Sequence, residues 1–430
     1  MNGLIRRISS ANGLSTPLGI FLRQSSLVLT GQLGAAAFAY GFSILAARRL
    51  GPVEFGVLGA ASTIVLTLNQ VSAPMALVVT NAIARLAAAG QAGKLRYFVA
   101  ITQRATGLGL IALLAFGALA AYPFSAALHV PWLTLLLALA WFAAGLEIIF
   151  WRAVQQGLQA YSSLSINLVI EAATRLLVGW LLLVAGLGAN GAVIAYGVAA
   201  LLAVGMAYLP LRARLNSAPP DSAIDLHGLF LFSTQAFAVT LCYAMMTSAD
   251  FLAVKRFLPE AQAGLYAAMQ MFGKLAFTGF SALYTVMFSA VSHDHTQSQD
   301  TRPILWRVLG LITLLGGSAV GLTALLARLL IAWTVGQDYL AAAPLLTGYL
   351  TTTVMFAMIV TINTFHLARR EGHFISWLVM GVALLMLLLA LNHNRLEAVV
   401  LDLGLAYGAI LAAYAVQALY RSRAPAFSNT

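Results

Sequence analysis

Long apolar stretches separated by short polar segments run along nearly the whole chain. A stretch of about 18 or more apolar residues is long enough to cross a bilayer as a helix. The apolar positions are continuous rather than alternating, which argues against the strands of an outer-membrane barrel. The pattern predicts an all-α polytopic membrane protein. Its twelve predicted transmembrane spans are 26–47, 56–80, 98–122, 131–151, 163–186, 189–211, 229–252, 262–290, 305–327, 341–366, 374–391 and 397–420.

The composition supports this fold class and excludes several functions. Of the 430 residues, 61% are hydrophobic and only 9% are charged, whereas about 25% of the residues of a soluble domain are charged. This contrast excludes a soluble enzyme, a disordered protein and a nucleic-acid-binding protein. The single cysteine, Cys242, lies in an apolar stretch, so the sequence has neither a disulfide framework nor a cysteine metal site.

The distribution of basic residues predicts the orientation of the chain. The net charge is +11, and most of the basic excess lies near one set of span ends. With the N-terminus inside, the inside ends carry sixteen Lys and Arg residues and the outside ends carry six. Because cytoplasmic loops are enriched in basic residues, both termini are predicted to be cytoplasmic. The six outside residues are Arg48, Arg49, Lys255, Arg256, Arg328 and Arg395.

A short motif occurs twice, about 207 residues apart, at the first loop of each half of the chain. The copies are residues 48–58 and 255–266. In each copy two basic residues precede a proline, and a glycine lies at the start of the next span. Proline stops a helix and glycine permits a tight turn. Their recurrence at matching places indicates a duplication into two six-span halves, related by an axis along the membrane normal.

The repeat divides the chain into predicted regions. A cytoplasmic segment, 1–25, precedes a first lobe at 26–211. A cytoplasmic loop, 212–228, joins it to a second lobe at 229–420, and residues 421–430 form a cytoplasmic tail. The loops are too short to hold a soluble domain. We therefore expect the function to lie in the helical bundle, with two pseudo-symmetric six-helix lobes around a central cavity.

Several stretches resemble motifs of bacterial polysaccharide flippases, which belong to the multidrug/oligosaccharidyl-lipid/polysaccharide exporter superfamily. These stretches are 46–56, 156–159, 249–250, 255–259 and 264–266. The resemblance in span number and spacing covers about residues 22–420. It implies translocation of a polyprenyl-pyrophosphate-linked oligosaccharide to the outer leaflet of the bacterial inner membrane. The implied partners are this lipid-linked substrate, membrane lipids, and candidate polysaccharide polymerases and glycosyltransferases.

Charged residues inside the predicted spans are functional candidates, because each costs at least about 2.5–3.5 kcal/mol to insert. Glu171 and Arg175 lie four residues apart, which predicts either a self-neutralised pair or a pair lining the cavity. Lys274 has no carboxylate three or four residues away. It is predicted either to bind the pyrophosphate or to pair with a carboxylate such as Glu147. Arg104 either attracts the anionic headgroup or extends to the interface.

The resemblance bears on Lys274 and also shows a departure from the pattern. Flippases of the lipid-linked peptidoglycan precursor have a basic residue on the eighth helix of their cavity, and Lys274 falls on the equivalent helix. The first span of this chain, 26–47, has no cation in its interior. The complete set of anion-binding residues therefore cannot be transferred to this sequence.

Four further polar positions complete the candidates. Glu147 is either a proton-coupling acid or a hydrogen-bonded structural acid. Asp250 is predicted to form a local ion pair with Lys255 and Arg256 at the turn. Asp402 has no basic residue four positions away and receives no role. The segment 293–295, His-Asp-His, is predicted to be a solvated loop rather than a metal site.

Three functions remain to be compared. A flippase for an anionic glycolipid fits the basic candidates Arg104, Arg175 and Lys274. A cation-coupled multidrug exporter of the same superfamily usually carries an acidic residue in its first span, which is missing here. A membrane glycosyltransferase or polymerase needs catalytic carboxylates or long outer loops. We expect no enzyme activity, no catalytic residue, no metal and no cofactor, and the sequence has no phosphate-binding loop for a nucleotide.

Overall fold

The computed structural model describes residues 17–215, 233–296, 300–369 and 371–423. Within these ranges the chain is helical apart from short connections, and it contains no strand, which confirms the all-α prediction. A 3₁₀ helix, Gln337–Ala342, precedes the eleventh helix. In chain order the helices are α1 (Pro17–Val71), α2 (Ala73–Ala88), α3 (Ala92–Leu128), α4 (Trp132–Gly157), α5 (Tyr161–Val184), α6 (Gly188–Leu215), α7 (Ser233–Met246), α8 (Ala249–Phe257), α9 (Glu260–Thr296), α10 (Arg302–Thr334), α11 (Ala343–Ala368), α12 (Phe374–Leu391) and α13 (Leu396–Arg423).

Parts of the predicted terminal segments and of the linking loop lie outside the described residues. These parts are 1–16, 216–228 and 424–430. The side chains of the His-Asp-His segment at 293–295 also lie outside the description, although α9 includes its backbone.

Eleven of the described segments are long and apolar enough to cross a membrane. One of them, Ser26–Val71, has 46 residues, which is about 69 Å at 1.5 Å per residue and hence two crossings of a hydrocarbon core about 30 Å thick. Two helices therefore meet at a kink within α1, as the predicted spans 26–47 and 56–80 require, and the second of these spans continues past Ser72 into α2. Gly51 redirects the chain with φ 67° and ψ 176°, which requires a glycine, and Pro52 follows directly.

The predicted span 229–252 is broken in the structure. Helix α7 ends at Met246 and α8 starts at Ala249, so Thr247 and Ser248 lie between them. The hydroxyl of Thr247 donates to the carbonyl oxygen of Tyr243 at 2.8 Å. Hydroxyl side chains that bond to nearby backbone groups compete with the helical hydrogen bonds, which explains a break without Pro or Gly.

The helices form two compact units. The first comprises the described parts of Met1–Ser43, Ser72–Ala121 and Leu133–Ser233. Helix α5 packs along α6, and α2, α3, α4 and α6 supply an apolar core that includes Ile83 and Val154. The second comprises the described parts of Ile44–Val71, Tyr122–Trp132 and Thr234–Thr430. The predicted lobes are defined by pseudo-symmetry rather than by contact, and their boundaries stay a prediction.

Helix α11 is the central element of the second unit. It packs against α9, α10 and α13. Phe280 of α9, Ile312 of α10 and Val354 of α11 are buried together in one apolar cluster. Many side chains of α11 therefore lie among three other helices, and the polar residues Thr361 and Asn363 are buried there.

Within the second unit, the two copies of the repeated motif contact each other. A Cβ atom on Gly56 would lie 2.9 Å from the backbone nitrogen of Gly264. A Cβ atom on Gly264 would overlap the backbone of Pro52. The two glycines thus allow a backbone-to-backbone crossing that side chains would prevent. We call this contact the repeat junction.

An arginine from each copy of the motif binds the end of another helix. The Arg48 Nε donates to the carbonyl oxygen of Thr334 at 2.6 Å, and its Nη2 donates to the carbonyl oxygen of Trp333. The Arg256 Nη1 donates to the carbonyl oxygen of Ala127 at 2.7 Å. Helices α10 and α3 end at these carbonyls, where a cation complements the helix dipole. The third span of each half is therefore capped by the motif of the other half.

Candidate functional site

A pocket of about 160 Å³ lies inside the second unit. Residues of α7, α8, α9, α11 and α13 and the α7–α8 break line it. Pockets for drug-sized molecules are larger, about 300–1,000 Å³. This pocket accommodates a small ionic group or a few water molecules, and not a whole lipid-linked glycan.

The break between α7 and α8 forms one wall of the pocket. The last carbonyl groups of a helix lack helical donors. Here the hydroxyl of Tyr407 on α13 donates to the carbonyl oxygen of Met246 at 2.7 Å. On α1, the hydroxyl of Thr67 hydrogen-bonds to the hydroxyl of Ser248. Neighbouring helices thus satisfy the broken backbone, as interrupted membrane helices require.

Asp250 in the first turn of α8 is the buried acid of the pocket, with only 3% of its surface exposed. Its Oδ2 accepts a hydrogen bond from the hydroxyl of Tyr266 at 2.7 Å, and its Oδ1 accepts one from the backbone N–H of Phe251 at 2.7 Å. The side chain of Gln270 also hydrogen-bonds to it. These donors and the positive end of α8 hold a carboxylate in one orientation.

Lys274 is the basic residue of the same pocket. Lys274 retains an exposed surface and lines the pocket together with Asp250. Among the described residues, Lys274 forms no ion pair within 4 Å, and Glu147 hydrogen-bonds to Gln103 instead. The structure therefore brings Lys274 to Asp250, a residue for which the sequence predicted another role.

The carboxylate of Glu147 lies in the first unit. The Gln103 side-chain nitrogen donates to its Oε2 at 3.2 Å, and Trp151 also hydrogen-bonds to it. Arg104, the neighbour of Gln103, is exposed. These contacts are those expected of a hydrogen-bonded structural acid. A role of Glu147 in proton coupling stays a prediction.

Glu171 and Arg175 do not neutralise each other as the four-residue spacing suggested. The Arg152 Nη2 lies 2.6 Å from the Oε2 of Glu171, and the Arg152 Nε donates to the Oδ1 of Asn167 at 2.9 Å. Asn167 in turn donates to the carbonyl oxygen of Ala203 at 2.7 Å. This chain of contacts joins α4, α5 and α6, and we call it the Arg152 network.

Arg175 is held by aromatic rings. Its guanidinium lies 4.6 Å from the centroid of the Tyr196 ring and 5.9 Å from that of Phe42. Its Nε is buried without a hydrogen-bond partner in the described part of the chain. The ring of Trp141 stacks on the ring of Tyr196, with centroids 4.1 Å apart. Cation–π contacts of this kind compensate part of the cost of burial.

The predicted ion pair at the turn after α8 is not formed. Asp250 bonds to Tyr266, whereas Lys255 is 1% exposed and its Nζ has no hydrogen-bond partner among the described residues. The reason is rotational: the five-residue separation of Asp250 and Lys255 places them on different sides of α8. Asp402, which received no role from the sequence, accepts a hydrogen bond from Asn392 at 3.3 Å.

The sequence contains a pattern of polar residues that indicates this pocket, and the prediction of the spans does not use that pattern. Tyr266, Gln270, Lys274 and Thr278 recur at four-residue intervals along α9. A polar stripe with this spacing lies on one helix face and marks a side that avoids lipid. The stripe faces Asp250 and α11 in the structure. It could have identified the α9 wall of the pocket, but not its acidic partner.

The arrangement can bind an anionic group through Lys274 while Asp250 limits the excess charge.

Comparison with families shows a match over residues 44–344 to a model described as "Polysaccharide biosynthesis protein". None of the curated proteins compared with the chain matches it.

Solved structures of transporters share the fold of the chain. A multidrug resistance MATE family transporter of the MOP superfamily, in its inward-facing conformation, gives a TM-score of 0.70 at 12% identity, covering 91% of this chain and 96% of that one. The lipid II flippase MurJ, in an inward closed conformation, gives 0.68 at 13% identity, covering 90% and 87%. A Vibrio cholerae MATE transporter mutant gives 0.63 at 14%, covering 93% and 97%. The predicted fold class is confirmed.

Proposed function

Since the chain belongs to the polysaccharide biosynthesis protein family, whose fold it shares with transporters and a flippase, we propose that it flips a polyprenyl-pyrophosphate-linked oligosaccharide across the bacterial inner membrane. In this proposal both termini are cytoplasmic and the chain is a carrier rather than an enzyme. Polysaccharide polymerases and glycosyltransferases are the proposed partners in cell-surface polysaccharide biosynthesis. The substrate headgroup crosses while the polyprenyl tail stays in the bilayer.

The observation that carries the proposal is the position of Lys274, which lines the pocket and retains an exposed surface. A pyrophosphate needs charge-assisted hydrogen bonds to leave water. Lys274 supplies a cation without a direct ion pair among the described residues. The small pocket volume suits one phosphate group rather than the sugars. Arg104, Arg175 and Glu171 remain proposed cavity residues that meet other parts of the headgroup.

We place the gate for release at the repeat junction. By the distribution of basic residues, the junction lies on the outer side of the membrane. Its glycines bring the starts of two spans into backbone contact. The side chains of Arg48 and Arg256, which belong to the same motifs, donate to carbonyl oxygens at the ends of α10 and α3. Opening of this contact would let the headgroup leave after the lobes have rocked about the site.

A cation-coupled multidrug exporter is the second candidate. The buried carboxylate of Asp250, held by Tyr266 and Gln270, favours it because an acid inside a lobe can bind a proton or a metal cation. The described residues of the first span, 26–47, contain no carboxylate, which favours the flippase. A membrane glycosyltransferase or polymerase is the third candidate.

Depletion of the protein in its host tests the proposal directly. Polyprenyl-pyrophosphate-linked glycans are then quantified separately on the two leaflets, together with the surface polymer. We expect one glycolipid to accumulate on the cytoplasmic leaflet while its polymer is lost, which would also identify the glycan as O-antigen, capsule or another type.

Two other outcomes contradict the flippase. An unchanged glycolipid distribution, combined with a loss of cation-dependent drug efflux, would establish the exporter. A glycolipid that is missing from both leaflets would point to an enzyme in its synthesis. Re-expression of the wild-type chain serves as the control for each outcome.

A further inference from the structure

Three side chains of metal-ligating types converge at the connection between α11 and α12, away from the pocket. His366 lies in the last turn of α11, and Glu371 and His373 lie before α12. One ligand atom from each residue lies within 4.8 Å of the other two. Among the described residues, this is the one group of three or more His, Cys, Asp and Glu side chains with such spacing.

The distances suit a metal ion after small side-chain movements. The Nδ1 of His366 lies 2.7 Å from the Oε2 of Glu371, and the Nδ1 of His373 lies 3.8 Å from the same oxygen. Zinc binds nitrogen and oxygen ligands at about 2.0–2.2 Å, so neighbouring ligand atoms of a tetrahedral site are about 3.4 Å apart. One observed distance lies below this value and the other above it, by less than an ångström.

The surrounding residues orient the three ligands. The Arg369 Nη2 lies 3.0 Å from Oε1 of Glu371, the oxygen that does not face His366. The backbone N–H of Glu371 donates to the carbonyl oxygen of His366 at 2.9 Å, which closes the loop. The ring of His366 stacks on that of Phe374 at 5.7 Å. Such outer contacts fix ligand orientation in metal sites.

Glu371 offers a carboxylate between two imidazoles. An ionised carboxylate with two imidazoles matches the nitrogen and oxygen ligands of first-row transition metals. Calcium and magnesium prefer oxygen ligands alone.

We propose that His366, Glu371 and His373 bind a divalent transition metal of the zinc class. Three protein ligands leave a fourth position for water. A bound ion would join the end of α11 to the start of α12. Because α11 also lines the pocket with Tyr349, Thr352 and Thr353, the ion would restrain the helix on which the pocket depends.

The test uses the full-length protein in detergent, purified through a tag without histidine and freed of metal with a chelator. Titration with Zn²⁺ is followed by calorimetry, and titration with Co²⁺ by visible absorption. We expect one ion per chain and a tetrahedral cobalt spectrum. His373→Gln and Glu371→Gln should lose this binding. Arg369 is a positioning residue, and Arg369→Gln should weaken metal binding about 10–100-fold.

Matched variants make the result decisive. His129→Gln changes an exposed histidine elsewhere and should retain full binding. Each variant is first compared with the wild type in thermal unfolding without metal, and only variants that unfold like the wild type are titrated. Absence of stoichiometric Zn²⁺ binding to the wild type would overturn the proposal. So would binding that survives Glu371→Gln and His373→Gln together, or that is lost in a variant with His293→Gln and His295→Gln.

Discussion

The two units treat their buried charges in opposite ways. In the first, the Arg152 network places a guanidinium 2.6 Å from the carboxylate of Glu171. In the second, Asp250 receives hydrogen bonds from a hydroxyl and a backbone amide, and Lys274 lines the same pocket with an exposed surface. The first arrangement pairs both charges across two helices. The second leaves Lys274 without a direct ion pair among the described residues, so similar residue types in the two units have different contacts.

The largest effect is expected when the available cation is removed. Lys274→Ala should abolish flipping while folded protein remains in the membrane, because Lys274 makes no direct ion pair among the described residues. Lys274→Arg should retain part of the activity since it keeps the charge. The measurement is leaflet-resolved glycolipid content in the depleted host. Lys94→Ala, which removes a lysine of the first unit that does not line the pocket, is the control. Full activity of Lys274→Ala would remove the distinction between the two units.

Breaking the closed pair should instead affect folding. Arg152→Ala leaves Glu171 without its cation. The two side chains are 17% and 21% exposed, so the expected loss of stability lies between the roughly 1 kcal/mol of an exposed pair and the about 3–5 kcal/mol of a fully buried one. Thermal unfolding in detergent measures it. The double variant Arg152→Ala/Glu171→Gln should recover much of the loss, and a single variant as stable as the wild type would show that the pair is no lock.

A smaller change weakens the support of the acid in the pocket. Tyr266→Phe removes the hydroxyl that donates to Asp250 and leaves a buried acceptor unsatisfied, at a cost of about 1–3 kcal/mol. Tyr349→Phe is the matched control, because Tyr349 lines the same pocket from α11. The two unfolding temperatures are compared directly. Equal temperatures would mean that the hydrogen bond to Asp250 contributes nothing particular.

The smallest effect is expected at Arg175. Arg175→Lys keeps the positive charge but loses the flat guanidinium that lies over Tyr196. The expected cost is about 0.5–2 kcal/mol, with flipping largely retained. Unfolding and glycolipid flipping are measured on the same preparation. If flipping falls to the level of Lys274→Ala while stability is unchanged, the headgroup needs the guanidinium of Arg175 itself and not only its positive charge.

The spans could be predicted well because each depends on local composition. The prediction 374–391 coincides with α12, and the kink at Gly51 separates the helices of the first two predicted spans. Two details differed for local reasons. The helix is interrupted at Ser72 within the predicted span 56–80, and at Thr247 and Ser248 within the predicted span 229–252. The sequence contains these residues, but it does not determine whether the helix continues through them or is interrupted, because neighbouring helices also contribute.

The candidate site was less predictable because its contacts join different helices. Asp250 meets Tyr266 across sixteen positions, and Arg152 meets Glu171 across nineteen. These pairs depend on how each helix is rotated about its axis, which spacing along one helix does not determine. The four-residue rule therefore suggested Arg175 as the partner of Glu171, whereas the structure supplies Arg152 from α4.

The arginine caps have a consequence for mutational tolerance. Arg48 and Arg256 donate to main-chain oxygens at 127, 333 and 334, which every amino acid provides. Substitutions at those three positions can therefore leave the caps intact, while the guanidinium groups themselves have no equivalent. In a saturation library, substitutions of the two arginines should therefore be tolerated less well than substitutions of the residues whose carbonyl oxygens they bind. The residue that supplies the carbonyl oxygen can vary without loss of the cap.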